Sequence, residues 1–284
     1  MTRPALVVGL IVLAGALAPG SRAQDKQPFN NPYSQRNGDA AVGAPVAYRS
    51  KDGTRKGWKV VIPGNRPLAT PAVVGGRIFL GGGFGSHEFY AFDATTGKRL
   101  WTYRTKDDGP TAAAVADDYV AFNTESCELE VLTVEGKPVW KKWLGDPLMS
   151  MPAVAGGKVY MAYPDSKGDR RHYLACLELK TGKELWKHPI AGEVITAPVI
   201  DDGRVFLATL EGTLYGFKPD GTLAWQEKKN VTSAPVVCNG ECYFSRRELA
   251  PVKKGDKDVP QQHEALARRG GEPRAAFKEI EATR

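Results

Sequence analysis

Apolar residues in this chain come in short alternating runs, and each run is preceded by a pair of turn residues. Gly75-Gly76 leads into Arg77-Ile78-Phe79, Asp117-Asp118 into Tyr119-Val120-Ala121, and Gly156-Gly157 into Lys158-Val159-Tyr160. Asp202-Gly203 precedes Arg204-Val205-Phe206, and Asn239-Gly240 precedes Glu241-Cys242-Tyr243. Such pairs suit the positive φ that two-residue hairpin turns require, and the period-2 runs after them are those of half-buried strands. In the first passage the pattern predicts strands over Ala72–Val74, Arg77–Leu80, Glu88–Asp93 and, after Thr95-Thr96-Gly97, over Lys98–Tyr103.

Two further landmarks keep step with these turns. Gly-x-x-x-Trp recurs as Gly97–Trp101, Gly136–Trp140, Gly182–Trp186 and Gly221–Trp225, the tryptophans falling at intervals of 39, 46 and 39 residues. Thr70-Pro71-Ala72, Thr111-Ala112-Ala113, Met151-Pro152-Ala153, Ala197-Pro198-Val199 and Ala234-Pro235-Val236 open the successive units. A repeated unit of four short antiparallel strands cannot bury both of its faces alone. Stacking units around an axis buries them, which is the logic of a β-propeller blade. The fold class is therefore all-β: a propeller of four-stranded blades with four complete repeats, about Thr70–Tyr103, Thr111–Trp143, Met151–Lys187 and Thr196–Gln226. A fifth begins at Val231–Val237 and Glu241–Arg246, and the ring is read as incomplete and open, part of a longer propeller that stops inside an insertion.

Ala91-x-Asp93-x-x-Thr96-Gly97-Lys98-x-x-Trp101 resembles the tryptophan-docking motif of the PQQ-like, quinoprotein-type propeller repeat, and Cys176-x-Glu178-x-x-Thr181-Gly182-Lys183-x-x-Trp186 is similar to it. The units ending at Trp140 and Trp225 keep only the glycine and the indole. The resemblance implies that Trp58, Trp101, Trp140, Trp186 and Trp225, with Gly97, Gly136, Gly182 and Gly221, tie blade to blade. In repeat type the chain is similar to the propeller family of outer-membrane assembly factors, without that family's lipid-attachment cysteine.

The flanks read differently. Arg3, the apolar run Ala5–Ala18 and the small-residue exit Ser21-Arg22-Ala23 predict a signal peptide over residues 1–23, and hence export to the periplasm or beyond. Residues 24–56 read as an irregular segment and 57–246 as the propeller repeats. Gly57–Ile62 reads as a lone fourth strand that would complete a blade begun at the C-terminus. Residues 247–284 turn charged and almost free of aromatics. They read as a largely disordered tail, with a short helix over Pro273–Ile280.

Charge and cysteine usage narrow the function. The formal charge of +7 is scattered along turns and is no nucleic-acid footprint. No stretch after the signal peptide is long and apolar enough for stable membrane insertion. Export would permit disulfides among Cys127, Cys176, Cys238 and Cys242. A bridge between the last two is disfavoured, because the Asn239-Gly240 register puts them on opposite faces.

Candidate chemistry is sparse. Enzymes of the quinoprotein family carry a vicinal Cys-Cys pair, a Glu/Asn/Asp calcium cluster and a catalytic Asp, and none of these can be placed here. Met149, Met151 and Met161 offer soft thioethers that suit Cu(I), but they read as gap-filling core residues. His87, His172, His188 and His263 are dispersed, and Gly83–His87 lacks the helix a nucleophile elbow needs. No metal, cofactor or catalytic residue is therefore expected. Hydroxyls stand at the entry to every blade (Thr70, Thr111, Ser150, Thr196 and Ser233), with Arg66, Asp108, Asp146 and Glu193 on nearby loops. They are the candidate binding residues, for a protein partner or a small ligand. The function read from the sequence is an exported binding or scaffold protein without catalysis, with self-association through open blade edges as a further expectation. The alternative is a PQQ-dependent dehydrogenase, or a truncated relative of one, holding PQQ with calcium.

Overall fold

The computed structural model describes residues 44–145, 150–165, 171–194, 196–254, 257–270 and 277–280, and every regular element among them is a strand. The signal-peptide reading, residues 24–43 and Asp146 lie outside the described residues. The chain divides into two compact units, one ending at Gly109 and one starting at Pro110.

The first unit holds a two-stranded sheet, β1 (Ala44–Ser50) and β2 (Gly53–Lys59), and the first blade: β3 (Ala72–Val74), β4 (Arg77–Gly81), β5 (Glu88–Asp93) and β6 (Arg99–Arg104). The second unit holds four more blades. They are β7 (Ala114–Ala116) to β10 (Pro138–Trp143), with β8 (Tyr119–Asn123) and β9 (Glu128–Thr133) between, and β11 (Ala153–Ala155), β12 (Lys158–Pro164), β13 (His172–Glu178) and β14 (Glu184–Ile190). Then come β15 (Val199–Asp201), β16 (Arg204–Ala208), β17 (Thr213–Phe217) and β18 (Leu223–Lys228), and finally β19 (Val236–Cys238), β20 (Glu241–Lys254), β21 (Lys257–Gly270) and β22 (Phe277–Ile280). Each blade is an antiparallel meander in chain order. Within the second unit the short first strands β7, β11, β15 and β19 are successive neighbours.

The turns that open the blades have the expected backbone. Both central residues lie at positive φ in Gly75-Gly76 (57° and 74°), Asp117-Asp118 (50° and 62°) and Asn239-Gly240 (52° and 73°), as a type I′ hairpin turn demands. The middle strands are buried on both faces, which is why Phe89–Phe92 and Val159–Tyr163 read as continuous apolar runs. Each blade contact in the second unit has its own core. Val131, Met161 and Leu177 sit between the second and third blades, Tyr160, Leu207 and Phe217 between the third and fourth, and Phe206, Phe244 and Ala267 between the fourth and fifth.

The tryptophans close these cores. The Trp58 indole N–H donates to Ala94 O at 3.1 Å and the ring covers Gly97, where an added Cβ would lie 2.5 Å from the indole. Trp140 donates to Leu179 O at 2.8 Å and covers Gly182 in the same way. Gly97 and Gly182 take φ of 70° and 71°, so both the backbone and the indole exclude a side chain. Trp186 covers Gly221, but its buried N–H has no acceptor among the described residues. The turn beneath it is built differently as well. In the first and third blades the turn glycine donates to Asp93 O and Glu178 O, whereas Gly221 N–H donates to Lys218 O, the carbonyl in the acceptor position. Gly136 takes φ 83° in the turn of the second blade, and Trp101 packs on Phe79 and Phe89 of its own sheet.

The flanks differ from the sequence reading. Part of the segment expected to be irregular is a hairpin, with Tyr48 opposite Arg55 and Val46 opposite Gly57. Trp58 therefore lies in a strand paired to residues 44–50 rather than completing the last blade, which takes Phe277–Ile280 as its own fourth strand. The expected disordered tail is strand over Arg247–Lys254 and Lys257–Gly270, and residues 277–280 of the expected helix are strand as well. Cross-strand ion pairs hold this ribbon: Arg247 to Glu264 at 3.3 Å and Arg268 to Glu241 at 2.6 Å. Pairs of that kind join residues far apart in sequence and leave no local periodicity to read.

Candidate functional site: the groove between the fourth and fifth blades

The 14-residue strands β20 and β21 run well beyond their neighbours in the fifth blade. Cys242, Phe244 and Ala267 point into the core shared with the fourth blade. Alternation then places Arg246 and Glu248 on the same face, past the end of that core. Opposite them stands the Leu210–Gly212 turn of the fourth blade. Between the two walls lies a cavity of about 490 Å³, with Asn230 and Val231 at its base.

Hydrogen bonds fix both walls. Leu210 N–H donates to Glu193 O at 2.8 Å, while Lys229 N–H and Val231 N–H both donate to Gly212 O. On the ribbon, Arg246 Nη2 donates to Glu248 Oε2 at 2.5 Å, and His263 Nε2 lies 2.9 Å from Glu248 Oε1. Thr232 Oγ1 donates to Glu264 Oε2 at 2.5 Å and so ties the inter-blade loop to the ribbon. Leu210 and Leu249 are 63% and 69% exposed on these walls. The Glu211 carboxylate lies over Gly192, where a Cβ would come within 1.8 Å of it, and has no ion-pair partner among the described residues. Burial raises the Tyr215 phenol above its ordinary range, and its oxygen accepts Ala191 N–H at 2.8 Å beneath this wall.

Three of the candidate hydroxyls are engaged locally. Thr111 Oγ1 accepts Asn123 N–H at 3.1 Å and donates to Ala112 O, and Thr196 Oγ1 donates to Ala197 O at 3.1 Å. Ser233 Oγ accepts Ser245 N–H at 2.9 Å and donates to Ala234 O. Ser150 is buried and its carbonyl accepts Asn123 Nδ2 at 3.0 Å, while its hydroxyl has no hydrogen-bond partner among the described residues. In the first unit Thr70 is exposed, and Arg66 lies with Asp108 beside Gly85. None of the candidates lines the groove; Glu193 reaches it only through its carbonyl, which accepts Leu210 N–H, and Ser233 follows the lining residue Thr232. Leu210, Glu211 and Arg246–Leu249 escaped the sequence reading. The one available signal, alternation through Cys242, Phe244 and Arg246, fades where the ribbon leaves the core.

The four cysteines are free thiols, three of them buried and Cys238 exposed. Cys242 faces Val237 across the hairpin, on the opposite face from Cys238. Met161 is fully buried between the second and third blades, and Met149 lies outside the described residues. Among the described residues no three Asp, Glu, His or Cys side chains converge.

Four-stranded blades whose cores are closed by indoles, with turn glycines beneath three of them, define a β-propeller of the tryptophan-docking class. Residues 40–142 and 130–250 match the family PQQ_2, described as outer membrane protein assembly factor BamB, and the chain belongs to that family. The structure of BamB from Moraxella catarrhalis superposes with a TM-score of 0.54 at 15% identity, over 84% of this chain and 63% of that one. A computationally designed protein, Ika8, superposes with a TM-score of 0.55 at 14% identity, over 83% of this chain and 80% of that one. Lupanine 17-hydroxylase [cytochrome c] of Pseudomonas sp is 35% identical over 141 residues. That match covers 42% of this chain and 20% of the relative's length.

Proposed function

We infer that the chain is an exported scaffold that works by holding a protein partner, without turnover. The observation that carries this reading is the groove between the fourth and fifth blades. It sets two exposed leucines on walls fixed by ion pairs and main-chain hydrogen bonds. Apolar side chains held on a rigid frame and rimmed by charge are the anatomy of a protein-recognition surface. Membership of a family described as an outer-membrane assembly factor points the same way, as does the apolar leader at residues 5–18. A photo-crosslinker placed at Leu210 or Leu249 of the full-length gene product, in its own host, should capture one discrete partner, while one at Lys98 should not. Equal or absent capture from all three positions would sink the reading.

The identity to lupanine 17-hydroxylase supports a second reading, a PQQ-dependent dehydrogenase or a truncated relative of one. Titration with PQQ and calcium, followed by dye-linked alcohol oxidation, separates the two. Tight binding with turnover would replace the scaffold reading.

A further inference from the structure

The inner edge of β20 is partly used. Thr232 N–H donates to Ser245 O and Arg247 N–H to Asn230 O, both at 2.9 Å. Backbone groups alternate along a strand, so the N–H and C=O of Leu249, two residues further on, face the groove on the same edge. Pro251 follows at the next such position and sits opposite Pro260. Neither has an N–H, and their pairing places both rings where an edge donor would otherwise be. Strand addition is thus blocked beyond Pro251 and open beside Leu249. This restricts an incoming chain to the groove and blunts the edge against indiscriminate pairing.

We propose that the groove is a site for an extended polypeptide segment of a partner protein, one that carries an apolar residue beside a basic residue and prolongs the Asn230–Thr232 pairing along β20. Main-chain bonding to Leu249 supplies the register, as in strand-addition recognition. The apolar side chain covers Leu210, and the basic side chain neutralises Glu211, which no cation answers among the described residues. Arg246 and Arg247 are already matched by Glu248 and Glu264, so the vacancy in the groove's charge is for a cation. The proposal rests on the scaffold reading and narrows it to one surface.

The probe is a short alternating Thr/Val peptide with a central Leu-Arg pair, labelled and titrated against the full chain. Saturable binding is expected, about tenfold weaker for Glu211→Lys and for the peptide with Glu in place of Arg. The Leu249 amide should become protected from hydrogen exchange when the peptide binds, and N-methylation of alternate peptide nitrogens should abolish binding. That last arm changes only the peptide, so it does not depend on how a variant folds. Binding that is indifferent to N-methylation and to Glu211→Lys, or no binding at all, overturns the proposal. Crosslinking to a partner through other loops would then leave the scaffold reading standing alone.

Discussion

The guanidinium of Arg269 lies 3.8 Å from the centroid of the Trp225 ring, at the core shared by the fourth and fifth blades. Arg269 is 2% exposed, and its Nε donates to Glu227 Oε1 at 2.5 Å. A planar cation stacked on an indole and matched to a carboxylate does the closing work of the docking contact. Arg269→Ala should destabilise the fifth blade by about 3 kcal/mol, because it empties the stack and leaves Glu227 only Lys229, 4.0 Å away. Arg269→Lys should recover little of this, since an ammonium cannot stack as a plane. Denaturant melts with hydrogen exchange across residues 236–270 would test both, and wild-type stability in Arg269→Ala would refute the role.

Two glycines of equal backbone conformation should differ in their tolerance of alanine. Gly156 and Gly182 take φ of 57° and 71°. A Cβ on Gly156 meets nothing within 4 Å, whereas one on Gly182 would lie 2.7 Å from the Trp140 ring. Strain at positive φ should cost each variant about 1 kcal/mol. Gly182→Ala should lose at least twice as much in urea denaturation, because the indole must also leave its site.

The indole hydrogen bonds make a similar contrast. Trp140 donates to Leu179 O, while among the described residues the buried Trp186 N–H has no acceptor. Replacing each by Phe removes the donor at comparable loss of ring. Trp140→Phe should therefore be the more costly by about 1 kcal/mol, because only there is a carbonyl left unmatched. Equal losses would show that the two docking contacts are energetically alike.

Thiol chemistry should follow burial. A maleimide should label Cys238 alone in the native protein and all four cysteines after denaturation. Burial pushes the Cys242 thiol up to about 12 and the Cys176 thiol up to about 11. A folded pKa above the unfolded value means that only the unfolded chain ionises as pH rises past the ordinary thiol range. Stability from these two sites should be fully present below pH ~8.5 and fall progressively above it. Replacing both with Ala should flatten that alkaline slope.

The Asp93 cap runs the other way. Its carboxylate accepts Thr96 N–H at 2.8 Å, Thr96 Oγ1 at 2.9 Å and Thr95 N–H at 3.0 Å. These bonds, that from the Thr96 amide first, hold it below the ordinary carboxylate range. The cap's contribution should be present above the unfolded aspartate pKa and lost as pH falls through the lower folded value. Asp93→Asn should remove that acid sensitivity, read as the pH dependence of the urea midpoint.

What the sequence by itself determined was everything carried by local chemistry. Paired turn residues at positive φ, such as Asn239-Gly240, fixed the hairpins, and period-2 runs fixed the strands between them. The Gly-x-x-x-Trp spacing fixed the blade length, because a glycine must lie under an indole and the turn that carries it is short. Only the tertiary structure decided the fifth blade and the groove. Arg269 finds Glu227 at a separation of 42 residues and Arg268 finds Glu241 at 27, and partners that distant impose no period on the chain. Pro251 and Pro260 fall in the stretch whose composition reads as disordered. In the sheet they face one another where no donor is required, and the ribbon runs through them. The groove exists because that ribbon rises past the core beside the Leu210 turn. Such a relation between two blades is set by packing rather than by any run of residues.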